Sequence, residues 1–157
     1  MTGTIEQIYR LHRKGLFTLA LSITRHPESA EDAVHDAIVR LCRSSKSPTG
    51  DPVAYVFAAV RNAAVDQKRK AGSVSIFDLP EPSTEPTSAV DDFERDRMVA
   101  DAIQQLPEDQ SGAVVLHLYS GLTFQQVAEV LDVPLQTVAS RYRRGLAKLR
   151  ELLASLK

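Results

Sequence analysis

The chain has 157 residues, 43% hydrophobic and 25% charged, enough to fold as one ordinary domain or two small ones. Nineteen Lys and Arg stand against 20 Asp and Glu, a formal net charge of -1, which argues against indiscriminate nucleic-acid binding. Cys42 is the only cysteine, so an intrachain disulfide and a cysteine metal cluster are excluded, and no apolar run approaches a signal-peptide core or a membrane span; the expectation is a cytoplasmic protein with no membrane insertion.

Every regular apolar stripe has helical period. Ile5, Ile8, Tyr9, Leu16, Leu19, Ala20 and Ile23 predict one or two helices before His26-Pro27. Ala30, Ala33, Val34, Ala37, Ile38 and Leu41 predict another, with Glu28 and Glu31 near its positive start. After a polar break from Ser44 to Asp51 comes a stripe of Val53, Val56, Phe57, Val60 and Ala64, for which Asp51 suits the N-cap and Pro52 the first helical position. That stripe ends in Lys68-Arg69-Lys70, where cations favour a helix C-terminus.

Residues 71–92 differ. Gly72, Pro80, Pro82 and Pro86 sit among serines, threonines and acids, a composition that cannot bury enough apolar surface to fold alone. The segment reads as a flexible linker, reaching about 70 Å fully stretched and about 25 Å as a coil. Its exception is an apolar patch, Val74, Ile76, Phe77 and Leu79, suited to docking. Acids dominate from Asp78 to Asp109, broken only by Arg95 and Arg97. Met98, Val99, Ile103 and Leu106 then predict a short helix, and Pro107 opens another that runs through Val114, Val115 and Leu118 to a stop at Gly121.

The stretch from Leu122 to Leu153 is the most informative. Thr123 and Gln126 form a T-x-x-Q capping box ahead of an apolar face of Val127, Val130 and Leu131. Asp132-Val133-Pro134 breaks that helix, since Pro134 opens a helix more readily than it continues one. The next helix puts Val138, Tyr142, Leu146, Leu149 and Leu153 on one side and Gln136, Thr137, Ser140, Arg141, Arg144 and Lys148 on the other. This pattern fits a helix-turn-helix reader of the DNA major groove. Arg bonds bidentately to guanine and Gln to adenine, while Ser, Thr and Lys also hold phosphates. The competing reading is an amphipathic hairpin with a solvated basic face. From Arg141 to Lys157 the basic residues Arg141, Arg143, Arg144, Lys148, Arg150 and Lys157 face only Glu151, so the positive field is local to the C-terminal end. The expected fold is all-α, with two small helical modules at 1–70 and 93–157 joined by the linker at 71–92, the second module a helix-turn-helix.

In this order the segments resemble the bacterial sigma factors, and more narrowly the small two-domain extracytoplasmic-function group. AEDAVHDAIVRL (Ala30 to Leu41) is similar to the family's segment that grips the polymerase clamp helices. YVFAAVRNAAVDQKRK (Tyr55 to Lys70) is similar to the segment that opens and reads the minus-ten element, including its R-N-x-x-x-D pattern at Arg61, Asn62 and Asp66. Leu106 to Arg141 follows the family pattern of the second module.

The resemblance implies a promoter-specificity subunit of core RNA polymerase. Glu31, Asp32, His35 and Asp36 would meet the clamp coiled coil, although by spacing alone they read equally as a solvated helix face. The polymerase flap tip would meet the apolar side of the helices around Leu116 to Leu122. Gln136, Thr137, Ser140, Arg141, Arg144 and Lys148 would read the minus-thirty-five promoter DNA. Lys46, Arg61, Asn62, Lys68, Arg69 and Lys70 would hold the opened minus-ten strand, with the Ser44–Asp51 loop capturing the base. An unstacked base gains about 1–3 kcal/mol on an aromatic platform. Tyr55 stands where the family usually has tryptophan, yet Tyr55 and Phe57 read more readily as core. Asp66 is expected as an internal hydrogen-bond partner, since a carboxylate would repel phosphate. The linker would either thread the polymerase channel as a nucleic-acid mimic or serve as a plain tether. An anti-sigma factor is a further partner.

His12, His26, His35 and His117 are scattered, and no triad, metal or phosphate-loop pattern is present. No enzyme activity, metal or cofactor is expected. Departures from the family pattern are Asp132 and Gln136, where glycine is common, and Ala139, where a lysine phosphate contact is common. Gly145 and Gly112 should each weaken their helices by roughly 1 kcal/mol against alanine. Two other functions compete: a stand-alone helix-turn-helix regulator, to which the first module would be superfluous, and a sigma mimic that only binds an anti-sigma factor.

Overall fold

The computed structural model describes residues 2–44, 46, 48, 50–71, 98–99 and 101–155. The linker and its patch at Val74, Ile76, Phe77 and Leu79 lie outside them, apart from Ala71. The described residues contain helices and no strand.

The first stripe forms one unbroken helix, α1 (Thr2–Thr24), which buries Ile5, Ile8, Leu16, Leu19 and Ala20. Arg25 takes a left-handed backbone (φ 64°). Pro27 then starts α2 (Pro27–Arg43), which buries Ala30, Ala33, Val34 and Ala37. Asp51 caps α3 (Pro52–Ala71) as its sequence position predicts: Oδ1 accepts from the Val53 and Ala54 N–H groups at 2.8 and 3.1 Å. Phe57 is fully buried with its ring edge-on to His12 at 5.7 Å, so it belongs to the core. The three helices pack pairwise around these residues.

The first described residues of the second module are the helical 98–99 and 101–104, which bury Ala102 and Ile103, followed by the buried Leu106. Helix α4 (Glu108–Val114) widens into a π-helical turn, Val115–Tyr119, before the chain reverses at Gly121. Helix α5 (Phe124–Leu131) has the full capping box: Thr123 Oγ1 accepts from the Gln126 N–H at 3.1 Å, and Gln126 Oε1 accepts from the Thr123 N–H at 2.9 Å. Asp132 closes α5 in the left-handed conformation (φ 55°), which Asp tolerates better than most residues. Helix α6 (Leu135–Ala154) buries Val138, Gly145 and Leu149.

Gly145 corrects the sequence expectation. It sits where α6 crosses α4, and a Cβ there would meet Val114 Cγ2 at 2.7 Å and the Gln110 carbonyl at 3.3 Å. Close helix packing, absent from a propensity scale, requires this glycine. Gly112 has only ordinary contact at its Cβ position, 3.6 Å from Leu131, so the propensity cost stands unopposed there.

The two modules share one continuous core. Helix α3 packs on α5, and α1 packs on the π turn. Ser120 Oγ donates to the Gly15 carbonyl across this boundary at 3.1 Å, and both residues are buried.

Candidate nucleic-acid interface

Helix α6 presents its polar side unevenly. Gln136, Arg144 and Lys148 are exposed, while Thr137, Ser140 and Arg141 are partly covered. Arg141 Nε lies 3.9 Å from Asp109 Oδ2, a loose pair that holds the guanidinium toward α4. The orientation of α6 on α5 is set by an aromatic cluster that sequence reading missed. The His117 ring lies 4.3 Å from Phe124 and 4.7 Å from Tyr142, and Phe124 meets Tyr142 at 5.4 Å. His117 Nδ1 lies 2.8 Å from the Leu122 carbonyl, an acceptor only, so Nδ1 carries the proton and donates. Tyr142 was legible as a buried-side residue, but His117 and Phe124 meet it only through the turn between α4 and α5.

The residues expected on the minus-ten strand divide among separate places. Arg61 and Lys68 face the second module, where with Arg25 and Arg141 they line a cavity of about 230 Å3 that also holds Glu108 and Asp109. Lys68 Nζ lies 3.8 Å from Glu108 Oε1. Arg69 and Lys70 line a shallow groove with Asp36, Arg40 and Asp66. Asn62 is exposed on α3. Lys46 is exposed in the loop before α3, where its N–H donates to Ser44 Oγ at 3.1 Å. Asp66 is exposed at the groove rather than internal, so the expectation of a hydrogen-bond partner inside the module is corrected. It follows Asn62 by one helical turn and shares its outward face. Tyr55 is half-buried.

The acidic set on α2 also divides. Glu31, Asp32 and His35 line a groove of about 780 Å3 against Tyr9, Leu11 and Arg13 of α1. Asp36 faces the other side, beside Arg40. The α1 wall of the groove escaped sequence reading. Its signal was Leu11, an apolar residue off the stripe of Ile5, Ile8, Leu16 and Leu19; it is 73% exposed. Of the apolar surface expected around Leu116 to Leu122, Leu116 and Leu122 are in the core, and Leu118 and Tyr119 remain exposed.

The first module matches the family described as Sigma-70 region 2 over residues 8–74, and the second matches Sigma-70, region 4 over residues 96–149. The chain is 32% identical to the ECF RNA polymerase sigma factor SigM of Mycobacterium tuberculosis, over 96% of this chain and 78% of that protein. The chain belongs to the extracytoplasmic-function sigma factors. It is 28% identical to the sigma factor SigE of Mycolicibacterium smegmatis over 95% of its own length, but spans 61% of that relative's. Its fold is that of the sigma factor RpoE of Bartonella quintana, solved in complex with the anti-sigma factor NepR, with a TM-score of 0.71, 24% identity and coverage of 95% and 96% of the two chains. Among the described residues of this sigma factor, no group of three or more His, Cys, Asp or Glu could hold a metal ion, and no helix is long and apolar enough to cross a membrane.

Proposed function

We propose that this sigma factor directs core RNA polymerase to its promoters, with residues 1–70 acting on the polymerase clamp and the minus-ten element, residues 93–157 on the minus-thirty-five element, and residues 71–92 as the linker. It works in the cytoplasm, beside the polymerase, and catalyses nothing itself. The observation that carries the reading is the exposed row of Gln136, Arg144 and Lys148 on α6, opposite the buried Val138 and Leu149. A helix held from behind and offering an amide, a guanidinium and an ammonium suits base edges and phosphates in the major groove. Thr137, Ser140 and Arg141, partly exposed on the same helix, complete that contact.

On the first module, Arg61, Asn62, Lys68, Arg69, Lys70 and Lys46 hold the separated strand. Their spread over several surfaces suits a strand that wraps the helix end. Glu31, Asp32 and His35 engage the clamp through the α1–α2 groove, Asp36 meets it from the other side of α2 beside Arg40, and Leu118 and Tyr119 offer the apolar contact for the flap. An anti-sigma factor is the natural regulator of such a chain. Run-off transcription with core polymerase tests the proposal. A promoter-dependent start that disappears when Arg144 is replaced by alanine supports it, and a chain that never associates with core polymerase sinks it.

A further inference from the structure

The cavity of about 230 Å3 carries more positive charge than its own residues neutralise. Arg61 and Lys68 line it from α3, two helical turns apart on one face with Val65 between them. Arg141 lines it from α6, and Arg25 from the turn between α1 and α2. Against these four cations stand two carboxylates, Glu108 and Asp109 of α4. Both are already engaged, Glu108 with Lys68 at 3.8 Å and Asp109 with Arg141 at 3.9 Å. Among the described residues, the guanidiniums of Arg25 and Arg61 have no ion pair or hydrogen bond.

The backbone holds Arg25 in this place. It follows α1 at φ 64°, the left-handed position where helices commonly end on glycine. A side chain at that position is strained. The turn is nonetheless fixed: the Arg25 N–H donates to the Leu21 carbonyl at 2.8 Å, and the buried Thr24 hydroxyl accepts from the His26 N–H at 3.4 Å. Glycine would serve the fold better. A strained residue kept in a fixed turn, beside a cavity with unneutralised charge, is placed for a ligand.

We propose that this cavity binds a phosphate dianion, gripped by Arg25 and Arg61 with Lys68 and Arg141 at its margin. The charge balance selects the ligand. Four cations less two carboxylates leave a surplus of two, and a phosphomonoester carries about −1.5 to −2 at pH 7. Planar guanidiniums match phosphate oxygens bidentately, which a point charge does not. The size bounds the rest of the ligand. At about 230 Å3 the cavity is smaller than the roughly 300–1,000 Å3 of pockets for drug-sized molecules, so only a small organic group fits beside the phosphate, against Ile23 and Val65. Inorganic phosphate and a small phosphomonoester share this chemistry. The site belongs to the free chain, and neither polymerase nor DNA is needed to test it.

Isothermal titration calorimetry of the full chain at about 0.15 M salt, with inorganic phosphate and with glycerol phosphate as titrants, tests the site. Saturable one-to-one binding with a Kd below about 1 mM is expected for at least one of them. Tighter binding of glycerol phosphate identifies an organic phosphomonoester as the ligand, and phosphate binding at least as tight identifies the free ion. Arg25→Gly should weaken the tighter titrant more than tenfold, yet melt no lower than the unsubstituted chain in ligand-free buffer, because glycine suits the positive φ. Arg61→Ala should weaken binding as much, and it carries the test if Arg25→Gly fails to fold. Arg43→Ala, which removes an exposed charge of α2 outside the cavity, should bind as the unsubstituted chain does. No saturable binding of either titrant overturns the site. So does binding that survives both Arg25→Gly and Arg61→Ala, or that falls equally in Arg43→Ala, since the attraction would then follow overall charge alone.

Discussion

Gly145 on α6 and Val114 on α4 approach so closely that a methyl group on the glycine would lie 2.7 Å from Val114 Cγ2. The neighbours cannot yield easily. Val114 is fully buried and stiff at χ1, and the Gln110 contacts at 3.2 and 3.3 Å include its backbone carbonyl. Gly145→Ala should therefore destabilise the chain, although alanine is the better helix former. Overpacking costs about 1–3 kcal/mol, and improved propensity returns roughly 1 kcal/mol. The expected net is a loss of about 1 kcal/mol in urea unfolding, whereas Gly112→Ala, with room for its methyl, should gain. If both variants gain stability equally, the close packing is wrong.

Gln126 serves two partners with one amide, its Oε1 accepting from the Thr123 N–H and its Nε2 donating to Asp51 Oδ2 at 3.2 Å, so its substitutions separate the two roles. Gln126→Glu keeps an acceptor for the Thr123 N–H but replaces the donor to Asp51 with a charge of the same sign as Asp51. Thr123→Ala removes the hydroxyl half of the box and leaves the Asp51 contact in place. Thr123→Ala should cost about 1 kcal/mol of stability. Gln126→Glu should instead raise amide hydrogen exchange at Asp51, whose N–H donates to Glu129 in the same contact. Unchanged protection at Asp51 in Gln126→Glu would show that the two caps are not coupled.

Arg144 and Lys148 should fail in different ways. A guanidinium bonded to a base edge carries discrimination worth about 1–3 kcal/mol. Arg144→Ala should weaken binding to the cognate minus-thirty-five sequence by about 10- to 100-fold and relax its preference. Lys148→Ala should weaken cognate and scrambled sequences alike and reduce the salt slope of log Kd by about one. Fluorescence anisotropy of the polymerase complex over a salt series reads both. Equal losses on cognate and scrambled DNA for Arg144→Ala would make it a phosphate contact.

What the sequence made legible is what short-range chemistry decides. Asp51 before Pro52, Thr123 three residues before Gln126, and Asp132 ahead of Pro134 each state a cap or a break within four residues, and the structure has all of them. The helical stripes and the paired modules follow from periodicity for the same reason. What was hidden depends on residues far apart in the chain. Gly145 reads as a weak helix position until α4 lies across it. His117 reads as one scattered histidine until Phe124 and Tyr142 close on it. Ser120 gives no hint of Gly15, more than a hundred residues away. The division of the expected contact residues among several surfaces was likewise invisible, because a list of positive charges has no direction until α3 is packed on two sides.

Leu11 is an apolar side chain left on the surface of α1 without a role in the core. At 73% exposed it contributes little to the core, so Leu11→Asp should change stability by no more than about 0.5 kcal/mol. The same residue stands on the wall of the α1–α2 groove opposite Glu31 and His35. If that groove receives a polymerase helix, placing a carboxylate on its apolar wall leaves a charge to be desolvated on binding, a cost of several kcal/mol. Association with core polymerase, measured by surface capture or native mass spectrometry, should fall by more than tenfold while the circular dichroism melt stays in place. A variant that binds core polymerase as the unsubstituted chain does would move the polymerase contact off this groove and leave Glu31, Asp32 and His35 as a solvated helix face.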